Sequence, residues 1–377
     1  MNEPSSIQQY DHFIPVSTAN LISKIEQSGL PEPQLEVIQL LKQVMSFQFH
    51  QKLLTLKKLY QPFNPDRELI DHNTASNSGS CIDALCDVLT AANYTQLNRE
   101  QLEYALQKTS PYGLEIHIDF DQFEHVSLFY RGKSQTTIRL RDWKKLYLKK
   151  KSITLINYQR LFLLLSYKND QQKPGIHLKL FKNILRPDLE MLFPESKIRM
   201  KLFDKLKLGI TGGGGTAGGI FATIGKVTAA VSPWTIFIAI AGFAMLVWRQ
   251  VSKVFIQRTR YMATLAQNLY FHNMDNNAGA ISYLIDLARQ EEIKETILAY
   301  ALLNLQTIKD KTELDNACEE WFKQQFDQVI DFDVQDAVDK LQRFDLLQSD
   351  HENLTCRAPE VISKKLQQQW LDFIKTP

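Results

Sequence analysis

The chain has 377 residues, more than one compact core usually serves, so two or three structural units are expected. Its 44 basic residues against 42 acidic ones, a net charge of +2, exclude wholesale coating of nucleic acid and leave only local basic patches. The four cysteines, Cys81, Cys86, Cys318 and Cys356, form no C-x-x-C pair, which suggests neither a disulfide framework nor a zinc ribbon.

The opening "MNEPSSIQQYDHFIPV" has no Arg and no apolar run, so neither a secretory signal nor a transit peptide is expected. Apolar residues at helical spacing predict a helix from Leu35 to Tyr60, stopped by "QPFNPD". Further helices are expected from Ile82 to Ala92 and from Glu100 to Lys108. The period then changes to two, and "GLEIHIDF", "HVSLFYRGK", "TTIRLRDW" and "RLFLLLSYK" read as successive strands of an antiparallel sheet. Tyr130-Arg131 with Gly132 reads as a strand end and turn. "IHLKLFKNILRPDLEMLFPESK" adds a strand and a short amphipathic segment broken at Pro187 and ended at Pro194.

The stretch from Gly209 to Trp248 can be read in two ways. Gly213, Gly215 and Gly218 satisfy G-x-G-x-x-G, but the preceding "MKLFDKLKL" is basic and helical in period, and no acidic residue occurs between Asp204 and Asp275. A nucleotide cradle is therefore disfavoured. Two apolar segments meeting at "VSPW" are instead expected to form a transmembrane helical hairpin over residues 208–248. Gly214, Gly218 and Ala222, with Gly215 and Gly219 beside them, would make its small-residue packing face, and Trp234, Trp248 and Lys226 its interfacial anchors. Basic residues on both flanks place both termini on the cytoplasmic side.

Beyond the hairpin, a helix from Gln250 to His272 is broken by "NMDNNAG" and resumes from Ala278 to about Leu305. Thr312 with Asp315 resembles a capping box, Asp333 reads as an N-cap, and a hairpin is expected to turn at Asp350 to Asn353. The fold class so derived is α+β: an N-terminal helical plus antiparallel-sheet domain, a two-helix transmembrane hairpin and a C-terminal helical, winged-helix-like domain. The corresponding boundaries are 1–110, 111–200, 208–248, 249–310 and 311–377.

Candidate chemistry is sparse. His117, Asp119 and Asp121 would share one face of an extended strand and could gather a metal, although an exposed strand face explains them as well. Asp275, Asn276 and Asn277 could bind an ion or polar ligand, or simply end one helix and cap the next. Glu291, Glu292 and Glu295 read as a solvated helix face. No G-x-S-x-G, H-E-x-x-H or kinase motif is present, and no cofactor is expected.

The segments "FIPVSTANLISKI", "FHQKLLTLKKLYQPFNPD", "FYRGK", "LKLFKNILRPDLEMLFPESKIRMKLFDKLKLG" and "LYFHNMDNNAGAISYLIDLARQEEIKETILAYALL" together resemble the transmembrane-protein-143-like family. The resemblance covers nearly the whole chain. It implies a two-span membrane protein of uncharacterised activity and supplies no catalytic residues. The resemblance associates eukaryotic relatives with mitochondria, but with no transit peptide expected here a bacterial inner membrane is the expected location. The function expected is that of a membrane-anchored binding or scaffolding protein. Its partners would be the lipid bilayer, an unidentified protein and further copies of itself, with nucleic acid disfavoured by the acidic balance of Thr312 to Leu346. The alternative is a membrane-tethered enzyme with a polar site between its soluble domains, drawing on His117, Asp119 or Asp275.

Overall fold

The computed structural model describes residues 12–67, 78–98, 114–117, 120–141, 150–168, 175–193, 197–200, 270–348 and 354–375, together with the single helical positions Trp234, Ala241, Met245, Trp248, Ser252, Ala263 and Gln267. Helices α1 (Thr18–Gln27), α2 (Glu32–Tyr60) and α3 (Ser78–Ala91) come first. Strands β1 (Thr95–Leu97), β2 (Leu114–His117), β3 (Phe123–Arg141), β4 (Lys150–Tyr167), β5 (Ile176–Leu185), β6 (Lys197–Met200) and β7 (Asn273–Asn276) follow. Helices α4 (Asn277–Leu305), α5 (Lys311–Phe326), α6 (Val334–Arg343) and α7 (Pro359–Lys375) complete the described elements.

The main sheet is antiparallel and five-stranded, in the order β1-β3-β4-β5-β7, and β2 pairs with β6 in a separate ribbon. The two strands expected at "HVSLFYRGK" and "TTIRLRDW" are one, because β3 runs unbroken from Phe123 to Arg141 against β4. Gly132, expected at a turn, sits inside that strand with φ +78. Glycine adopts this conformation at little steric cost, so the strand continues through it.

Side-chain alternation gives the sheet two apolar faces. Phe129, Phe162, Leu164, Leu178 and Leu180 meet α3, the second half of α2 and the first half of α4. Leu128, Leu161, Leu163, Leu165 and Phe181 lie on the opposite face, under Leu189, Leu192 and Phe193 of the turn that follows β5. A helical core unites α1, the first half of α2, the second half of α4, and α5 to α7. The two 29-residue helices α2 and α4 therefore pass through both cores, in opposite directions.

Helix ends follow local chemistry. Ser17 caps α1 by accepting from Asn20 N at 3.2 Å, and Asp333 caps α6 by accepting from Asp336 N at 3.1 Å. The cap of α5 is Asp310, which accepts from Glu313 N at 2.9 Å, so this helix starts earlier than Thr312 would place it. After α6 a single antiparallel bridge joins Leu347 to Cys356, and the turn expected at 350–353 lies outside the described residues.

The membrane expectation is corrected. Among the described residues no helix is long and apolar enough to cross a membrane. Helices α2 and α4 have the length, but α2 carries Lys42, Lys52, Lys57 and Lys58, and α4 carries Glu291, Glu292, Lys294 and Glu295. The transmembrane hairpin, the membrane assignment and the inner-membrane location with cytoplasmic termini are thus not supported. Gly214, Gly215, Gly218, Gly219, Ala222 and Lys226 lie outside the described residues. Trp234 and Trp248 are helical, with exposures of 75% and 72%.

Two glycines separate conformational strain from collision. Gly29 has φ +86 and nothing within 4 Å of an added Cβ, whereas at Gly175, with φ +109, a Cβ would stand 2.2 Å from the Phe63 carbonyl oxygen. Gly29→Ala is expected to cost roughly 1–2 kcal/mol, and Gly175→Ala on the order of 3 kcal/mol or more, because backbone must also move. Urea denaturation of both variants checks this, and equal losses would contradict the tight approach at Gly175.

Candidate functional site

Residues Glu291 to Leu302 of α4 are buried on every side of the helix. A charge in such a place is stable only if paired and hydrogen-bonded. Glu291 and Glu295 are each 1% exposed, so the solvated face expected there is absent.

Two linked clusters satisfy these charges at the level where the sheet core gives way to the helical core. In the first, Glu291 Oε1 accepts from Arg131 Nη2 of β3 at 2.6 Å and from Lys294 Nζ at 2.6 Å. Glu291 Oε2 accepts from the backbone N–H of Ile14 at 3.0 Å, and Lys294 Nζ donates to the Ile14 carbonyl at 2.5 Å. Two α4 side chains thereby replace a strand partner for Ile14. The Arg131 guanidinium also lies 4.4 Å from the centre of the Phe13 ring.

The second cluster surrounds Lys340 of α6. Its ammonium meets Glu295 Oε2 at 2.5 Å, Asp336 Oδ2 at 2.6 Å and Glu292 Oε2 at 3.2 Å. Glu295 Oε1 accepts from Asn93 Nδ2 at 2.7 Å. Asn93 ends α3 with φ 58, a left-handed residue that stops the helix and delivers its amide to α4; the same amide nitrogen donates to the His12 carbonyl at 3.2 Å.

Three carboxylates around the Lys340 ammonium, with only the exposed Arg343 guanidinium 3.8 Å from Glu292 beside it among the described residues, leave negative charge in excess, and burial disfavours it further. Burial raises Glu295 to about 7 and raises Glu292 as well, against the pull of Lys340. Burial would lower Lys340, but Glu295, Glu292 and Asp336 reverse this and leave its pKa raised. Lys294 is lowered by burial, opposed by Glu291. The surrounding carboxylates therefore favour the charged form of Lys340, while burial favours the neutral form of Glu295.

The other residues singled out from sequence lie elsewhere. Asn277 opens α4 with φ 47, and its Oδ1 accepts from Leu178 N at 3.0 Å and stands 3.2 Å from the Tyr60 hydroxyl. Its Nδ2 donates to Asp66 Oδ2 at 2.5 Å, and the Tyr60 hydroxyl donates to the Ile176 carbonyl at 2.7 Å. Asn277 thus brackets α2, β5 and α4. Asp275 accepts from Asn276 N at 2.8 Å and rests on Gly279, and Asn276 is exposed. His117 belongs to the β2–β6 ribbon, opposite Lys197, while Asp121 belongs to the turn before β3. Asp119 lies outside the described residues. The ribbon and β7 belong to different sheets. Among the described residues no group of three or more His, Cys, Asp or Glu could hold a metal.

Residues 123–279 are similar to the family described as Protein of unknown function (DUF3754). That segment runs from the first residue of β3 into the first turn of α4, so it contains Arg131 and Asn277 but not Glu291, Glu295 or Lys340. No solved structure matches the chain.

Sequence reasoning missed Arg131, Lys294 and Lys340. One signal was available: in "EEIKETILAYALL" apolar residues occur on every side of the helix, the mark of burial all round, so its charges require partners.

Lys340→Met should cost about 3–5 kcal/mol, because Glu292 and Glu295 lose their buried counter-charge. The double change Lys340→Met with Glu295→Leu should recover most of that loss in denaturant titrations. The pH dependence follows from Glu295. A carboxyl raised to about 7 on folding stabilises the fold fully below its ordinary value and loses that contribution as pH climbs through 7. Stability is expected to decline between about pH 5 and about pH 8, and Glu295→Gln should flatten the decline when unfolding free energies are measured across that window.

Proposed function

We propose that the chain is a non-catalytic binding or scaffolding protein whose sheet unit and C-terminal helical unit act as one piece. One observation carries this reading. The charged groups that converge in the interior are spent on one another and on the backbone of Ile14, with Glu291 gripped by Arg131 and Lys294, and Lys340 by Glu292, Glu295 and Asp336. A catalytic site instead needs a reactive group with an open valence facing a substrate. The clusters leave Arg131 Nε without a partner, but a guanidinium N–H only donates and carries no lone pair to serve as nucleophile or base. Asn277, buried at the start of α4, is likewise used up as a bracket.

The enzymatic alternative drew on His117, Asp119 and Asp275, and the strands of His117 and Asp275 belong to different sheets. A metabolite panel distinguishes the two readings. Thermal-shift measurement on the full chain, with mass spectrometry of each compound before and after incubation, is expected to find compounds that raise the melting midpoint and are recovered unchanged. Conversion of a compound by the wild type, abolished in Asp275→Asn, would overturn the binding reading.

A further inference from the structure

The helix-facing side of the sheet carries an unusual row. Arg131 of β3 is paired in register with Arg160 of β4, and Arg160 with Lys182 of β5. Alternation from Phe129, Phe162 and Leu180 puts these three cations on the face covered by α3 and α4. The register that sets Thr95 of β1 against Tyr130 carries Tyr94 to the place beside Arg131, and Tyr94 packs in the same cluster. One hydroxyl and three cations therefore lie side by side across the sheet.

The row is short of acceptors. The Tyr94 hydroxyl and Arg131 Nε are both buried without a hydrogen-bond partner, in residues that are 6% and 7% exposed. Two adjacent buried donors with nothing to donate to are costly, and such groups ordinarily mark a missing water, ion or ligand. Glu291 answers the charge of Arg131, but among the described residues no carboxylate pairs with Arg160 or Lys182. Arg160 spends one N–H on the Gln159 carbonyl at 2.9 Å and keeps the rest of its fork. Arg131, Arg160 and Tyr283 of α4 are near enough to Tyr94 to act on its titration. Burial decreases along the row, since Arg160 is half-buried and Lys182 exposed, so it opens to solvent at β5.

We infer that this row binds a phosphate-type dianion, inorganic phosphate or a phosphate monoester, held by Arg160 and Lys182 with the Tyr94 hydroxyl and Arg131 Nε donating to its oxygens. Two cations without a carboxylate partner among the described residues suit two negative charges better than one, and a tetrahedral oxyanion offers acceptors to several donors at once. The inference rests on the binding reading above and names its ligand class.

Calorimetric titration of the full chain with inorganic phosphate and with phenyl phosphate tests it, with acetate and chloride at matched ionic strength as controls. Saturable binding of phosphate, of the ester or of both is expected, and the arm with the higher affinity identifies the source. Arg160→Met should weaken it about tenfold, Lys182→Met and Tyr94→Phe each about threefold. These variants should fold, because Arg160 and Lys182 are not in the core and Phe preserves the packing of Tyr94. Absence of saturable binding by both probes would overturn the proposal and leave ordered water as the acceptor. Binding that none of the three variants weakens would overturn it too. If the metabolite panel finds an uncharged ligand while both phosphate probes fail, the phosphate assignment falls and the binding reading stands. If the wild type hydrolyses phenyl phosphate and Arg160→Met neither binds nor hydrolyses it, the site stands and the non-catalytic reading falls.

Discussion

A helix surrounded by protein on all sides cannot carry an unpaired charge, and α4 carries four within five residues, at Glu291, Glu292, Lys294 and Glu295. Everything packed against that stretch has to supply a counter-charge or a polar backbone group. β3 supplies Arg131, α6 supplies Lys340, the end of α3 supplies Asn93, and the segment before α1 supplies both backbone groups of Ile14. Four separate parts of the chain thus meet at one belt, and its position coincides with the seam between the sheet core and the helical core.

The belt is not an economical way to gain stability. Buried ion pairs seldom outperform apolar packing, because desolvation consumes most of the Coulombic gain. What they impose is geometry. A slip of α4 against β3 or α6 would strand several buried charges at once, whereas an apolar seam would tolerate sliding. The two long helices need such a restraint, since α2 and α4 cross from one core to the other and contribute apolar residues to both. Arg289 reaching Ser46 at 3.4 Å is a lighter polar contact between the same helices close to that level.

Arg131 links the belt to the open sheet face. Its guanidinium terminus is committed to Glu291, yet its Nε looks for an acceptor beside Tyr94, where Arg160 and Lys182 continue the row outward. Arg131 is followed immediately by Gly132, with its positive φ. The same residue therefore locks the fold on one side and presents a donor on the other, which couples any occupant of the row to the seam.

Residue pattern alone determined the α+β character, the helix ending at Tyr60, the strand content from β3 to β5, and the N-cap at Asp333, because these depend on periodicity and on side chains acting on their own backbone. It misread Gly132 as an end, since a glycine that turns the chain and one inside a strand look alike until the partner strand is known. It also placed Glu291, Glu292 and Glu295 in water, a judgement that charge pattern cannot secure for a helix whose neighbours are unknown. The pairing of Arg131, Lys294 and Lys340 with α4, and the cationic row across three strands, were decided only by tertiary structure. Their partners lie far apart in the chain, and whether a charge is solvated, paired or left waiting for an anion depends on what packing puts beside it.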